Sequence, residues 1–230
     1  MAAEIRVLSA GAVKPGLVKV IDAFRRETGR DVTVTFATAP EIRKRLAGGE
    51  MVDMVIAPPA ALDELINRSK AAGANRVTVG RIGIGVVVRD GAPLPKIATV
   101  EEFKQSLLDT EALVYNQAST GIYLEALFGR LGIANQLKPK TTRYPDAAPV
   151  LDHIGNSNGN EIGFGATTVI IEGESKGLKF VGPLPAEIQN YTTYAASLFA
   201  DSAATEAAVA LLRYLTTPAA KAAFTSAGIE

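Results

Sequence analysis

Three stretches of the chain put small or hydroxylated residues between a strand-like run and a helix-like one. The first is LSAGAVKPGL, residues 8–17, with Gly11 and Ala12 at the corner; the second is FATAPEI, residues 36–42, with Thr38 and Ala39; the third is NQASTGIY, residues 116–123, with Ser119, Thr120 and Gly121. A helix that opens at such a corner leaves its first N–H groups unpaired and carries partial positive charge there. Such a corner can therefore hold an anion on backbone donors alone. The same small residues also serve any α/β chain that must turn, and Ser119 or Thr120 equally fits a simple N-cap. Arg143, in TTRYPD, offers the forked geometry that grips a carboxylate. Tyr144 beside it, ahead of a proline, either lines a site or packs. Lys14 and Arg43 adjoin the first two corners and read as solvated surface charges. His153, the single histidine, invites a general-base role, set against a structural or surface one.

Composition removes several chemistries. There is no cysteine, so disulfides, thiolate catalysis and cysteine metal sites are excluded, and one histidine rules out multi-histidine metal sites. No metal, cofactor or catalytic residue is expected. Lys+Arg and Asp+Glu are both 24, which is no footprint for a nucleic-acid partner. No apolar run reaches the length of a membrane span. Phosphate-loop, dinucleotide-fingerprint and nucleophile-elbow motifs are missing. The MAAE start resembles an initiator Met set before a mature terminus, which leads us to expect an exported protein whose signal peptide has been removed.

The corners need elements to hold them. IRVLSA reads as a buried strand; Pro15 opens a helix whose Leu17, Val20, Ile21 and Phe24 share one face, and Gly29 stops it. DVTVTFA, a helix opened by Pro40, MVIAP and PAALDELINRS complete a βαβαβ start, which implies parallel strands joined by right-handed crossovers. The pattern restarts after the glycine-rich strand RIGIGVVVRD. Thr99 and Glu102 form a capping box, ALVYNQ and STGIYLEALFGRLGI make a second strand–turn–helix unit, and PDAAPVLDHIG, EIGFGA, GLKFVGPLP and NYTTYAASLFA follow. The tail from TEAAVALLRYL onward is helical. Two long strands, near residues 82–90 and 191–200, bracket the middle block. A chain that crosses to a second lobe and returns has this pattern, as does one continuous sheet with a long edge strand.

Taken in order, the corners resemble the periplasmic molybdate-binding-protein-like family and the wider type 2 solute-binding fold, over nearly the whole chain. Family members open with a strand ending AAASL and a helix ending F…ETG, where this chain has SAGAVKPGLVKVIDAFRRETG. They continue with FAxSG and DVxI, matched by FATAPEIRKRLAGGEMVDMVIAPP. GNAEVGF corresponds to GNEIGF, and YLTTPAAKAAFTSAGIE matches the C-terminal helices. The resemblance implies an α/β type 2 periplasmic-binding-protein fold of two lobes, each a mainly parallel sheet flanked by helices and joined by two hinge strands. Lobe one is expected at residues 1–82 plus 194–230, lobe two at 83–193.

The same resemblance puts serines of the family's oxyanion site at Ala12 and Ala39, and a tyrosine of some members at Ala166, so three hydroxyl donors are missing. Burying a compact dianion with fewer donors is costly. Molybdate, tungstate and sulfate are therefore disfavoured against a small organic anion such as a carboxylate. We expect a periplasmic, monomeric solute-binding protein that closes over this anion in the cleft between its lobes and delivers it to the membrane permease of an ABC transporter. Its ligand contacts are expected from Gly11, Ala12, Thr38, Ala39, Ser119, Thr120, Gly121, Arg143 and Tyr144. The alternatives are an isomerase acting on a tricarboxylate, since aconitate isomerase resembles the same family, with His153 or Asp146 as base, and an oxyanion binder that uses backbone N–H groups alone.

Overall fold

The computed structural model describes residues 4–69, 76–199 and 206–230, with side chains described except over 66–69. The first residues of the MAAE start, Ala200 at the end of the β-rich run and Thr205 at the head of the tail helix lie outside the described residues. The chain divides into two compact units, Met1–Ile82 with Thr192–Glu230, and Gly83–Tyr191.

The first unit begins with β1 (Ile5–Ala10), a short 3-10 turn over Gly11–Val13, and α1 (Lys14–Thr28). β2 (Val32–Ala37), α2 (Ala39–Ala47), β3 (Met54–Ala57) and α3 (Pro59–Ser69) follow, and β4 (Arg76–Arg89) leads out into the second unit. The apolar face of α1, Leu17, Val20, Ile21 and Phe24, is buried, each such side chain contributing about 1.5–3 kcal/mol. Gly29 ends that helix at φ 66°, a left-handed conformation glycine adopts without a Cβ clash. Prolines sit in the first turn of α1 and α2, where the missing N–H costs no helical bond.

The second unit holds α4 (Val100–Asp109), β5 (Ala112–Asn116), α5 (Ser119–Arg130), α6 (Ala134–Leu137) and β6 (Thr141–Tyr144). It continues with α7 (Ala147–Asn156), β7 (Glu161–Ala166), α8 (Thr167–Gly173) and β8 (Leu178–Pro183). β9 (Tyr191–Leu198) returns to the first unit, which ends with α9 (Glu206–Tyr214) and α10 (Pro218–Thr225). The capping box is formed: Thr99 Oγ1 accepts from the Glu102 N–H at 3.1 Å, and Glu102 reaches back to the Ala98 N–H at 3.2 Å.

In the first unit β1 pairs parallel with both β2 and β3, while β9 adds antiparallel to β3. In the second, β5 pairs parallel with β6 and β7, and β4 runs antiparallel to β7 and β8. Alternate residues of this second sheet feed two cores. Val86, Val88, Leu113 and Tyr115 join Phe103, Leu124 and Phe128 on one face. Val87 and Val114 join Val150, Ile154 and Ile170 on the other. Period-two alternation with both faces covered explains why these strands read as unbroken apolar runs. β6 lies in TTRYPD, a stretch without a strand pattern of its own. Its four residues are all half-buried, with no apolar alternation to mark them. α8 was not anticipated either.

Candidate functional site

Strand register decides which corners are neighbours. In the first unit Ala10 stands opposite Ala37, and Ser9 opposite Ile56. The turns that open α1, α2 and α3 therefore leave one carboxyl edge of one sheet, the edge where open α/β sheets bind ligands. No side chain caps the 3-10 turn or α1, and no acidic residue lies in either first turn. Space beside Gly11 is open: a Cβ built there meets nothing within 4 Å. Ser9, the hydroxyl nearest this corner, is buried, and its hydroxyl donates to the Ala10 carbonyl at 3.2 Å. Thr38 caps α2, accepting from the Glu41 N–H at 3.4 Å. Lys14 is exposed, with its ammonium 5.9 Å from the centre of the Phe36 ring at the end of β2, and it forms no ion pair among the described residues. Arg43 is engaged by Glu64 at 3.6 Å.

In the second unit the third corner is built differently from a serine-capped helix. The N-cap of α5 is Ala118, without a side-chain bond. The Ala118 N–H is held instead by Asn116 Oδ1 at 2.9 Å, an Asx turn. Ser119 and Thr120 occupy the first helical positions, half-buried, and their hydroxyls have no hydrogen-bond partner among the described residues. Gly121 has a packing reason: a Cβ there would lie 1.7 Å from the Asn116 carbonyl oxygen. Its absence lets α5 start directly against the end of β5. Ala166 stands where α8 begins, again with no side-chain cap.

Arg143 sits beside Tyr115 in the β5–β6 register. Its Nη1 is 2.6 Å from Glu125 Oε1 on α5, and its guanidinium carbon lies 5.8 Å from the Tyr115 ring centre. Burial pushes the Tyr115 phenol up, Glu125 adds to the rise and Arg143 opposes it. The arginine that the sequence offered as a ligand clamp thus has a protein carboxylate at Nη1, while its Nε is buried without a hydrogen-bond partner among the described residues. Tyr144 faces the opposite side of the sheet, and its hydroxyl is 2.9 Å from His153 Nδ1. His153 Nε2 is 2.9 Å from Glu161 Oε2. Tyr144 is level with Asn116, the last residue of β5, but Glu161 is level with Ala112, its first. The array runs from the carboxyl edge toward the amino edge beneath α7. His153 is therefore not brought to the turns. Asp146 is at the carboxyl edge and caps α7, accepting from the Ala148 N–H at 3.0 Å.

Sequence reasoning did not single out Asn116, Glu125 or Glu161. An Asn two residues ahead of a corner is a readable signal for an Asx turn. Glu125 and Glu161 carry none, because their partners lie on other elements.

Parallel strands whose carboxyl ends all open into helix starts, repeated in two α/β units, define the type 2 periplasmic-binding-protein fold. Among solved structures, the Azotobacter vinelandii periplasmic molybdate-binding protein superposes with a TM-score of 0.80 at 17% identity, covering 98% of each chain. PEB3 with bound L-phospholactate superposes at 0.76 and 13% identity, covering 97% of this chain and 98% of that one. Residues 5–230 match the family described as bacterial extracellular solute-binding protein, and the chain belongs to that family. Among characterised relatives, an aconitate isomerase from a Pseudomonas species is 31% identical over 234 residues, covering 98% of this chain and 87% of the relative.

Proposed function

We propose that this protein binds a small organic anion with carboxylate groups on the helix-start corners at the carboxyl edges of its sheets, and that it serves as the exported receptor of an ABC-type uptake permease. The observation that carries the ligand class is the chemistry of the corners. Ala12, Ala39 and Ala166 supply no hydroxyl, and the helix starts at α1 and α5 have no side-chain cap. Ser119 and Thr120 keep hydroxyls with no hydrogen-bond partner among the described residues. A compact dianion stripped of water there would be short of donors, at about 1–3 kcal/mol for each one missing. A carboxylate presents carbon to the alanines and needs fewer donors per oxygen. Thermal-shift screening against molybdate, sulfate and a panel of mono-, di- and tricarboxylates tests this. Stabilisation by carboxylates alone is expected, and a large shift with molybdate alone would overturn the reading.

A second reading is favoured by the 31% identical aconitate isomerase: turnover of a tricarboxylate on the same corners. It needs a base that takes a proton from one carbon of an allylic system and returns it to the other end. His153 is engaged by Tyr144 and Glu161 beneath α7, which leaves Asp146 as the carboxylate at the carboxyl edge. NMR of trans-aconitate incubated with micromolar protein tests it. No product would end this reading, and product that vanishes in Asp146→Asn would support it.

A further inference from the structure

The Tyr144–His153–Glu161 array links three titratable side chains in a row beneath α7. Its connections assign it a role. Among the described residues Glu161 Oε2 is buried without a hydrogen bond, and the imidazole Nε2, 2.9 Å away, is the group that faces it. In the tautomer that carries its proton on Nε2, facing this carboxylate, Nδ1 accepts from the Tyr144 hydroxyl at 2.9 Å. The order carboxylate, imidazole, hydroxyl follows the logic of a nucleophilic triad. The Tyr144 ring, however, packs under α7 against the apolar cluster of Val114, Val150 and Ile154.

The other end of Tyr144 shows what the array holds. The Tyr144 carbonyl accepts from the Gln117 N–H at 2.8 Å, in the middle of the third corner. Asn116, paired with Tyr144 across β5–β6, holds the Ala118 N–H and carries the carbonyl against which Gly121 packs. Among the described residues β6 has β5 as its one neighbour in the sheet and spans Thr141–Tyr144. A short edge strand has few ladder bonds to fix its end. We infer that Glu161 and His153 are positioning residues for the third corner: they pin the Tyr144 side chain from behind, so that its carbonyl holds Gln117 and sets the aim of the Ser119 and Thr120 donors. The inference rests on the carboxylate-binding reading for its consequence in affinity, but not for the geometry it asserts.

Amide hydrogen exchange of the full chain, followed by NMR, tests it together with calorimetric titration of citrate. In His153→Leu and Glu161→Ala, exchange at Gln117 and Ala118 should speed up about fivefold, the loss of roughly one net hydrogen bond. Exchange in β1 should be unchanged. Glu161→Gln, which keeps an acceptor for Nε2–H, should restore the wild-type rates, and a merely charge-dependent or bulk-packing role would not give that rescue. Unchanged exchange at Gln117 in both disruptive variants overturns the inference, as does an equal rise throughout the unit, which would report general loosening. Citrate affinity should fall about fivefold in step with exchange. If exchange rises and citrate binds as before, or if wild type binds no carboxylate, the positioning role stands and the carboxylate reading of this corner falls.

Discussion

Gly121→Ala is the sharpest test of how the third corner is built. The added Cβ would lie 1.7 Å from the Asn116 carbonyl oxygen and 3.1 Å from the Tyr115 ring, where real Cβ atoms essentially never come within 3.0 Å of a neighbour. Some element must give by at least 1.3 Å, the gap between these two distances. β5 cannot, because it is paired on both sides, with β6 and β7. The start of α5 must lift instead, and Leu124, Leu127 and Phe128 are locked into the core one to two turns further on. Overpacking against a rigid neighbour costs about 1–3 kcal/mol, and a backbone oxygen as the obstacle places this case at the upper end, about 3 kcal/mol. Urea denaturation of the variant measures it, with Gly11→Ala as the control. A Cβ at Gly11 meets nothing within 4 Å, so its stability should stay within about 0.5 kcal/mol of wild type, while the filled space weakens anion binding. A Gly121→Ala variant within about 0.5 kcal/mol of wild type would refute the claim that close approach, and not ligand contact, demands glycine there.

Replacing Ser119 and Thr120 together by alanine should leave the melting temperature unchanged, because neither hydroxyl caps α5; carboxylate affinity by calorimetry should fall at least about tenfold, and unchanged affinity would remove the third corner from the site. Lys14→Met should lower affinity about fivefold and flatten its dependence on salt, since Lys14 is the cation beside the first corner with no carboxylate partner among the described residues; an unaltered salt slope would return Lys14 to the solvated surface. Burial pushes the Tyr194 phenol up to about 12, with a Thr192 bond opposing the rise, so Tyr194 should be absent from the tyrosine ionisation seen near pH 10. Its folded value lies above its unfolded one, so the stability it contributes is full below about pH 10 and is lost as pH rises toward 12; a Tyr194→Phe variant with the same alkaline unfolding profile would contradict this.

The parts of the fold legible in the sequence are those with local causes. Alternating apolar runs and helical stripes, prolines in first turns, glycine at Gly29 and the Thr99–Glu102 box each depend on residues within one turn or one strand of each other. They suffice for the α/β class and for the three corners. β6 and α8 were missed because neither has a periodic face of its own; β6 is a strand by virtue of β5 beside it. At the site, the hydroxyl at a helix start was legible, but its freedom was not. Whether Ser119 caps α5 is decided by Asn116, which takes the Ala118 N–H first. Arg143 and His153 were legible as charged or titratable groups. Their engagement by Glu125 and Glu161 depends on α5 packing over β6 and on α7 packing over β7, contacts no spacing in the chain encodes.

These engagements bear on which anion the corners suit. A fixed guanidinium can replace several hydroxyl donors, so Arg43 or Arg143 would have been enough to offset the alanines at 12, 39 and 166. Glu64 and Glu125 already pair with them, and freeing either arginine for a ligand would leave a protein carboxylate unpaired. What remains at the first-unit edge is Lys14, a compact and mobile charge on an exposed stem, suited to attract an anion and not to hold it in a fork. At each corner taken by itself, backbone donors with either one flexible ammonium or two hydroxyls form a weak cage for a small, densely charged oxyanion that must give up its whole hydration shell. They form an adequate one for a carboxylate, whose charge is spread over two oxygens and whose carbon skeleton rests against alanine. Lys14 opens α1, so at the first corner its long-stemmed ammonium can meet one carboxylate while backbone donors meet another, which favours an acid with more than one carboxylate. A preference for di- and tricarboxylates over acetate or lactate in the same screen, reduced in Lys14→Met, is the outcome this argument requires.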